Sequence, residues 1–392
     1  MKKLIMLFTF SLLLVSCSRL PANEIPLEPS IVVEAMENDQ HKEKPIAVDV
    51  PLEKPIVTSV KLVAIGDILL HQPVYHDAAT PQGGYDFSTM FTKVKPFLEG
   101  ADIAVANQET MIGGAELGLS GYPLFNSPYE IGDALKDSGI DLVTIANNHT
   151  LDKGEKGIVN ALNYWDSIGM TYTGAFKSEE DREDIRTVSK NGISFSFLSY
   201  SYGTNGLPVP EDKPYLINLI DLPLIKQDVE KAKALSDVVV VSMHWGNEYE
   251  TEPNQMQLDL AKELSDMGVD IIIGHHPHVL QPMDWIQRVD GSRTFVMYSL
   301  GNFLSAQDGI ERMTGGIGGV EIIKTASSGT SVISLSNPSF VPTYAYHKNK
   351  RNFTIIPLVQ LTEAYLPNYL HHYESTQNHM MTLINDLSLQ EN

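Results

Sequence analysis

Short apolar runs alternate along the chain with stretches whose apolar residues recur every three or four positions. The runs are apolar at nearly every position, which is typical of strands that are covered on both faces of a sheet. The spaced positions within 154–169 and 255–268 indicate amphipathic helices. This alternation predicts an α/β domain with largely parallel strand pairing. The predicted strands span 61–67, 102–109, 141–149, 195–201, 237–245, 269–276 and 294–303.

Two later segments depart from this alternation. The glycine-dense run 313–319 is expected to form a turn or a flexible loop, because glycine weakens regular structure. Residues 366–392 are mostly polar, and we expect them to form a C-terminal tail. Within this tail the spacing of Met380, Leu383, Ile384 and Leu387 predicts a short helix, and His371, His372 and His379 are expected at the surface.

The first residues have the composition of a secretory signal. Two lysines precede an apolar run from Leu4 to Val15, which is too short to cross a bilayer comfortably. The run leads into Leu-Val-Ser-Cys at 14–17, which resembles the lipobox of bacterial lipoproteins, whose cysteine is lipidated and begins the mature chain. Cys17 is the single cysteine, so an intrachain disulfide is excluded. We expect residues 1–17 to be a lipoprotein signal, with an ordinary cleaved signal as the alternative.

A proline-punctuated, charged stretch, 18–58, follows the signal. Such composition favours extended chain, so we expect this stretch to be a tether for a folded domain at 59–365. A lipid on Cys17 would then hold the domain on the outer face of a bacterial membrane, outside the cytoplasm.

The charge balance argues against one class of partner. The chain has 49 acidic and 28 basic side chains, for a formal net charge of −21. Proteins that bind nucleic acids usually present a basic surface, so we expect no nucleic-acid partner.

Several predicted strands end in side chains that can bind a cation. Loops at the carboxyl ends of strands are where α/β proteins place their chemistry. Each residue alone has a simpler explanation as a turn residue, a helix cap or a buried histidine. Their recurrence at one structural position predicts a site for Zn²⁺, Mn²⁺ or Fe, where two ions could activate a water molecule. These strand-end residues are Asp67, Asn107, Glu109, Asn147, Asn148, His149, His244, His275, His276 and His278.

Six strings in this region resemble one protein family in their order and content. They are GDILLH (66–71), ANQET (106–110), ANNHTLDKG (146–154), HWGNEY (244–249), GHHPHVLQP (274–282) and SLGNF (299–303). The chain thereby resembles the CapA family, which is named for poly-γ-glutamate capsule synthesis and is similar to the calcineurin-like metallophosphoesterases. The resemblance implies a metallophosphoesterase-like four-layer α/β/β/α sandwich with two mixed sheets and a centre of one or two divalent ions.

The resemblance also implies roles for individual residues. His149 would act as the acid or as the stabiliser of developing negative charge, and His275 would lie outside the metal ligands. Position 69 is Leu where the superfamily motif has a histidine ligand, and His71, two residues later, could substitute for it, although the spacing differs. Asp152 and Glu248 belong to the family's motifs and are expected to orient the ligands. Asn107 and Asn302 are expected to do the same or to contact substrate, with a turn or a helix cap as the alternative for Asn302. The implied metal ligands are Asp67, Glu109, Asn148, His244, His276 and His278.

Two functions follow as hypotheses. In the first, the anchored protein takes part in poly-γ-glutamate biosynthesis or export, with an anionic polymer and polymer-synthase subunits as partners. In the second, it is a metal-dependent hydrolase of a phosphoester or another cell-envelope substrate, without a link to the polymer. Either function would use the predicted metal, and coordinating imidazoles must be neutral, so we expect metal affinity to fall as pH drops through about 6.

Overall fold

The computed structural model of this protein describes residues 54–327 and 329–389. The expected signal 1–17 with Cys17, and the expected tether as far as residue 53, lie outside the described residues. Among the described helices, none combines the length and the hydropathy that crossing a bilayer requires.

The secondary structure begins with a long strand and ends with a helix and a short strand. The strands are β1 (Ile56–Leu69), β2 (Ile103–Gln108), β3 (Leu142–Thr144), β4 (Thr171–Thr173), β5 (Arg186–Lys190), β6 (Ile193–Ser201), β7 (Val238–His244), β8 (Ile271–His275), β9 (Leu280–Gln287), β10 (Arg293–Leu300), β11 (Asn302–Ser305), β12 (Thr314–Ser327), β13 (Thr330–Lys348), β14 (Arg351–Pro357) and β15 (Ser388–Leu389). The helices are α1 (Gln72–Asp77), α2 (Ser88–Phe91), α3 (Lys95–Glu99), α4 (Glu130–Asp137), α5 (Gly154–Ile168), α6 (Glu179–Glu183), α7 (Leu222–Leu235), α8 (Gln255–Met267) and α9 (Tyr369–Met380), with short 3₁₀ turns at Ala115–Leu117, Pro214–Leu216 and Leu358–Gln360.

Two mixed sheets form the middle of the domain. The first has the order β14-β13-β12-β1-β2-β3-β4, with β11 beside β1 and β15 beside β13. The second has the order β5-β6-β7-β8-β10-β9. Strands β1 to β4 run parallel, as do β6, β7, β8 and β10, whereas β12 to β14 and the edge strands β5 and β9 pair antiparallel. The expectation of two mixed sheets is confirmed.

Alternate residues of β1 show how the layers stack. Val63 and Ile65 pack against α1 to α5, whereas Leu62 and Ala64 pack against the second sheet. The opposite face of the second sheet packs against α7 and α8. The order of layers is therefore helix, sheet, sheet, helix, so the predicted four-layer α/β/β/α sandwich is confirmed. Because both sheets are covered on both faces, their central strands carry the unbroken apolar runs seen in the sequence.

The two predicted helices are confirmed as α5 and α8. Helix α5 buries Ile158, Leu162 and Trp165 on one face. Helix α8 begins with a capping box in which Asn254 and Gln257 each accept a hydrogen bond from the backbone N–H of the other. Such a box satisfies N–H groups that a helix leaves without partners in its first turn.

The predicted strand 294–303 is wrong in one respect, because it divides into β10 and β11 at Gly301. Gly301 has a φ of +63°, which favours glycine, and its carbonyl oxygen accepts a hydrogen bond of 2.8 Å from the backbone N–H of Asp67. Strand β10 belongs to the second sheet and β11 to the first. The chain therefore crosses between the sheets at this point and joins them beside Asp67.

The predicted strand 141–149 is also too long, since β3 ends at Thr144. The Thr150 hydroxyl donates to the carbonyl oxygen of Ile145, at 2.7 Å, or of Asn147, at 2.9 Å. These contacts stabilise a tight turn of the backbone. The Asn-Asn-His sequence consequently lies on a buried loop and not on a strand.

The expectation of a loop at 313–319 is wrong, because these glycines belong to the central strand β12. A Cβ atom on Gly315 would lie 2.2 Å from the backbone oxygen of Asn302, and one on Gly316 would lie 2.1 Å from the Phe340 ring. The glycines therefore permit a close approach of neighbouring chain segments, which is a recognised use of glycine in a strand.

The C-terminal segment from residue 366 includes α9 and β15. Met380, at the end of α9, is buried with Ile384 and Leu387 in the core between the sheets, whereas Leu383 is 44% exposed. His371 is exposed, and His372 and His379 are half-buried. The helix ends at Met380, before most of the positions whose spacing predicted it.

Candidate metal centre

The carboxyl ends of β1, β2, β7 and β8 meet at one buried place. Asp67 lies near the end of β1, Glu109 directly follows β2, His244 ends β7, and His276 and His278 follow β8. All five side chains are buried. The strand-end residues that are distant in the sequence are thus brought together, as their shared position predicted.

The carboxylate of Glu109 lies at the centre of this group. Its Oε1 atom is 3.6 Å from Nε2 of His244 and 3.6 Å from Nε2 of His278. Glu109, His276 and His278 each offer a ligand atom, and these atoms all lie within 4.8 Å of one another. Burial, with a smaller contribution from the nearby Asp67 carboxylate, raises the pKa of Glu109 well above its usual range. The group is therefore a possible site for a metal ion.

Asp67 contacts His278 on the side away from Glu109. Its Oδ2 atom is 3.1 Å from Nδ1 of His278, and its Oδ1 atom accepts a hydrogen bond of 2.8 Å from the Asn107 amide. Burial alone would raise the pKa of Asp67, but the hydrogen bonds from His275 and His278 hold it well below its usual range. A carboxylate that binds Nδ1 of a histidine orients Nε2 toward a metal. In this structure Asp67 occupies that orienting position, and its expected role as a direct ligand stays a prediction.

His275 is closer to the centre than the sequence suggested. Its side chain is buried, and its Nδ1 atom lies 3.2 Å from Oδ1 of Asp67. It does not belong to the Glu109–His276–His278 group. The sequence shows only that His275 precedes His276, so it could not predict the contact with Asp67.

The His276–Pro277–His278 loop has an unusual backbone. His276 has a φ of +97° and His278 a φ of +59°, both in the left-handed region that residues with a Cβ rarely adopt. Burial, together with the charge on His278, lowers the pKa of His276 to about 3. Burial would also lower the pKa of His278, but the Glu109 carboxylate and the hydrogen bond to Asp67 raise it to about 9.

His244 faces both Glu109 and the loop after β3. Its Nε2 atom lies 2.9 Å from Oδ1 of Asn148, whose amide nitrogen donates to Oδ1 of Asn205 at 3.3 Å. Burial, with the nearby His276, lowers the pKa of His244 well below its usual range. Asn148 and His244, which were both expected to bind metal, are therefore in direct contact.

His149 and Asp152 form a buried pair beside the centre. Oδ2 of Asp152 lies 2.7 Å from Nδ1 of His149 and accepts a 2.7 Å hydrogen bond from the backbone N–H of Phe125. The Phe125 ring packs nearly perpendicular to the imidazole, with 4.7 Å between ring centroids. Asp152 therefore orients the imidazole that the sequence marked as a candidate acid.

The remaining predicted residues have different positions. Asn302 is buried, and its amide nitrogen lies within hydrogen-bond distance of the carbonyl oxygens of His278, at 3.3 Å, and Arg312, at 2.9 Å. Glu248 is exposed, although it is close enough for its charge to affect the pKa of Glu109. Nδ1 of His71, the suggested substitute for the histidine that Leu69 replaces, lies 3.2 Å from the carbonyl oxygen of Leu69, and burial lowers the pKa of His71 to about 4.

Sequence reasoning missed Tyr202. Its ring lies 4.6 Å from that of His276 and 6.3 Å from that of His244 between centroids, and the side chain is 43% exposed. It therefore lies between the buried imidazoles and the solvent. The available signal was its position directly after the predicted strand 195–201, at a strand end like the other site residues.

The buried polar atoms at the centre fit a divalent cation. Such atoms normally have hydrogen-bond partners, because desolvating them without compensation is unfavourable. Among the described residues, several here have none: both carboxylate oxygens of Glu109, Nδ1 of His244, Nδ1 of His276 and Oδ1 of Asn107. Carboxylate, imidazole and amide donors are the set that Mn, Fe and Zn accept.

A protein-family comparison decides the relationship. The family model described as bacterial capsule synthesis protein PGA_cap matches residues 61–307, which is more than half of the chain. The chain belongs to this family. The resemblance to CapA proteins that the six strings suggested is confirmed, and every predicted site residue from Asp67 to Asn302 lies within the matched range.

Individual relatives in this capsule synthesis family carry related names. The PGA biosynthesis protein CapA of Bacillus subtilis (strain 168) is 32% identical over 256 residues, which are 62% of this chain and 62% of that protein. The capsule biosynthesis protein CapA of Bacillus anthracis is 30% identical over 261 residues, which are 63% of this chain and 60% of that protein. The matched part thus spans less than two thirds of either relative.

A solved structure shows a weaker similarity to this family member. The sulfate thiohydrolase SoxB of Thermus thermophilus, solved with glycerol, is 16% identical and has a TM-score of 0.37; the match covers 74% of this chain and 46% of that one. Similarity at this level supports no conclusion about activity.

Proposed function

We propose that this protein takes part in poly-γ-glutamate capsule biosynthesis or export, as a lipid-anchored protein on the outer face of a bacterial membrane. Family membership and the names of the two Bacillus relatives support the polymer role. The lipobox-like sequence ending at Cys17 supports the anchor. Its partners would be the anionic polymer and other subunits of the polymer synthase.

We further propose that the centre holds one or two divalent ions of Mn, Fe or Zn. The observation that carries this proposal is the buried Glu109 carboxylate, which faces imidazole nitrogens and lacks any hydrogen-bond partner among the described residues. Glu109, His276 and His278 would hold the ion, with His244 and Asn148 beside them. When bound, the ion supplies Lewis acidity and a positive charge that attracts an anionic group.

A second candidate function is hydrolysis of a phosphoester or another cell-envelope substrate. The His149–Asp152 pair favours it, because Asp152 binds Nδ1 and leaves Nε2 of His149 as the atom that can exchange a proton with a substrate. The two functions are compatible, since a polymer-synthesis system can include a hydrolase. Turnover of an aryl phosphate that is lost in His149→Ala would support this candidate, and its absence in metal-replete protein would exclude it for that substrate class.

Elemental analysis of protein purified without chelator tests the metal proposal. We expect about one to two equivalents of Mn, Fe or Zn, with a loss of most of the metal in Glu109→Gln and His276→Ala. His379→Ala is the matched control, because this half-buried histidine of α9 lies outside the Glu109–His276–His278 group. Metal content that is negligible in the wild type, or unchanged in Glu109→Gln, would contradict the proposal.

Gene deletion tests the polymer role. The deletion strain should lack extracellular poly-γ-glutamate, and the wild-type gene should restore it. Complementation with Glu109→Gln tests the centre, and complementation with Cys17→Ala tests the anchor. An unaltered amount of polymer after deletion would exclude this role.

A further inference from the structure

Arg312 contacts Tyr249, which lies near His278 of the candidate metal centre, and it stands outside the range 61–307 that the family model matches. We propose that Arg312, positioned by Tyr249, binds a carboxylate of a γ-linked glutamate chain. This inference rests on the proposed polymer role and names a residue that recognises the polymer.

Tyr249 connects Arg312 to the centre. The Tyr249 ring centroid is 6.3 Å from that of His278, and Cζ of Arg312 lies 5.1 Å from the Tyr249 centroid. Tyr249 is 46% exposed, so this contact is at the protein surface. A guanidinium over an aromatic face is held by the ring's negative face, which restricts its orientation.

The backbone at Tyr249 is constrained in a way that supports a functional role. Tyr249 has a φ of +68°, and its backbone N–H donates a 2.8 Å hydrogen bond to the carbonyl oxygen of Pro277. Pro277 lies between His276 and His278, which also have positive φ values. Such conformations cost free energy in residues with a Cβ and are concentrated at functional sites. This hydrogen bond thus joins Tyr249 to the His276–Pro277–His278 loop, and both segments have unusual backbone conformations.

The Asn302 side chain ties Arg312 to the same place. Its amide nitrogen contacts the backbone carbonyl oxygens of both His278 and Arg312, and also Oε1 of Gln307 at 3.1 Å. The Gln307 amide in turn lies 3.5 Å from the Tyr249 hydroxyl. These contacts hold the backbone of Arg312, and its guanidinium lies against Tyr249.

The guanidinium of Arg312 has no carboxylate within 4.0 Å among the residues that the structure describes. The carboxylate of Asp308 pairs with Lys350, which lowers the pKa of Asp308 with a smaller contribution from the charge of Arg312. Four other arginines each pair with an aspartate at that distance or closer: Arg182, Arg186, Arg288 and Arg293.

The chemistry of a γ-linked glutamate chain suits this position. Each of its residues carries a free α-carboxylate, and a planar guanidinium can bind a carboxylate with two parallel hydrogen bonds. The formal charge of −21 would repel such a polyanion from most of the surface. A positive side chain beside the centre would therefore select where the polymer approaches.

Calorimetric titration with a γ-linked glutamate oligomer tests the proposal. Using the metal-replete, full-length protein, we expect Arg312→Gln to weaken binding about tenfold or more, since it removes a charge-assisted pair. Arg312→Lys should have intermediate affinity, because it keeps the charge but not the planar fork. Metal content and melting temperature should be unchanged, because the Asn302 contact uses the backbone of Arg312.

Lys190→Gln is the matched control for net charge. Lys190 is exposed where β5 pairs with Ile193, at the start of β6, whereas the centre lies at the carboxyl ends of the strands. Its affinity should stay within about twofold of the wild type. An equal loss in Lys190→Gln would show a general charge effect and overturn the proposal.

Three other outcomes also overturn it. Unchanged affinity in Arg312→Gln, with a wild type that binds, would refute the role of Arg312 and leave the polymer role standing. Binding of inorganic phosphate, but not of the oligomer, in an Arg312-dependent way would assign a phosphate ligand instead. A wild type that does not bind the oligomer would refute both this inference and polymer binding by the protein.

Discussion

At the scale of single residues, Glu109 shows the conflict between stability and function. Its carboxylate is fully buried and lacks hydrogen-bond partners among the described residues, and burial raises its pKa well above the usual range. Such a group contributes to stability below its unfolded pKa and loses that contribution as pH rises toward its folded pKa. The metal-free protein is therefore penalised at pH 7 by a residue that a cation would satisfy.

Glu109→Gln should consequently stabilise the metal-free protein at pH 7 while abolishing metal retention. We expect the free energy of unfolding of the chelator-treated variant to exceed that of the wild type by about 1–3 kcal/mol, because the desolvation of the carboxylate outweighs its attraction to His278. The difference should shrink as pH falls below the unfolded pKa. Chemical denaturation at both pH values measures it. Glu248→Gln, at an exposed carboxylate near the same site, should change stability by less than about 0.5 kcal/mol. A marked destabilisation by Glu109→Gln would contradict this account.

His278 determines the expected pH dependence of metal binding. Its pKa is raised to about 9, whereas that of His276 is lowered to about 3 and that of His244 lies well below its usual range. At pH 7 His278 must therefore release a proton to bind a metal, and the other two are already neutral. Protonated His278 stabilises the metal-free state, an effect that is complete below about pH 6.5 and is lost as pH rises through about 9.

Metal affinity should accordingly increase with pH up to about 9, by about tenfold per unit for each proton released from His278 and from Glu109. The pH range in which metal affinity changes most therefore lies above the value near 6 that is expected for histidines with their usual pKa. Titration calorimetry in buffers with different ionisation enthalpies counts the protons. A constant affinity between pH 7 and pH 9 would show that His278 does not carry the proton.

At the scale of elements, β12 depends on glycines that allow close packing. A Cβ on Gly315 would meet the backbone oxygen of Asn302 at 2.2 Å, and backbone cannot move aside as a flexible side chain can. Because Asn302 also contacts the loop of His278, a shift here would reach the candidate metal centre. The glycine-rich segment is thus part of what positions the site.

Gly315→Ala should destabilise the fold by about 1–3 kcal/mol or more and reduce metal retention, because overpacking must displace backbone. Gly203→Ala is the matched control, since no atom lies within 4 Å of its Cβ position, and it should be neutral within about 0.5 kcal/mol. The denaturant concentrations at the unfolding midpoints of the two variants test this prediction. Equal midpoints would show that the sheet adjusts freely at Gly315.

At the scale of the whole molecule, the C-terminal segment closes the core between the sheets. Ile384 is 2% exposed and packs in this core, whereas the preceding Leu383 is 44% exposed. Ile384→Ala should lower the free energy of unfolding by about 2–4 kcal/mol, through lost burial and a cavity. Leu383→Ala should lower it by less than about 1 kcal/mol. If the two variants lose similar amounts of unfolding free energy, the burial of Ile384 does not contribute to stability as expected. Thermal or chemical denaturation measures both losses.

The sequence by itself determined the class of fold and the place of the site. Apolar runs and helical spacing are local properties of the chain, so they predicted most strands and both amphipathic helices. Parallel strands bring their carboxyl ends to one edge, so the positions of Asp67, Glu109 and His244 predicted a shared centre before any contact was known. The six strings that resemble the CapA family suggested a specific role for each of these positions.

Only the tertiary structure decided how these side chains meet. Asp67 and His278 are 211 positions apart, and no local pattern shows that Asp67 binds Nδ1 and leaves Nε2 facing Glu109. The same holds for Arg312 beside Tyr249 and for the glycines of β12, whose conformation depends on neighbours from distant strands. Local periodicity records which face of an element is buried, whereas contacts between elements depend on the packing of the complete chain.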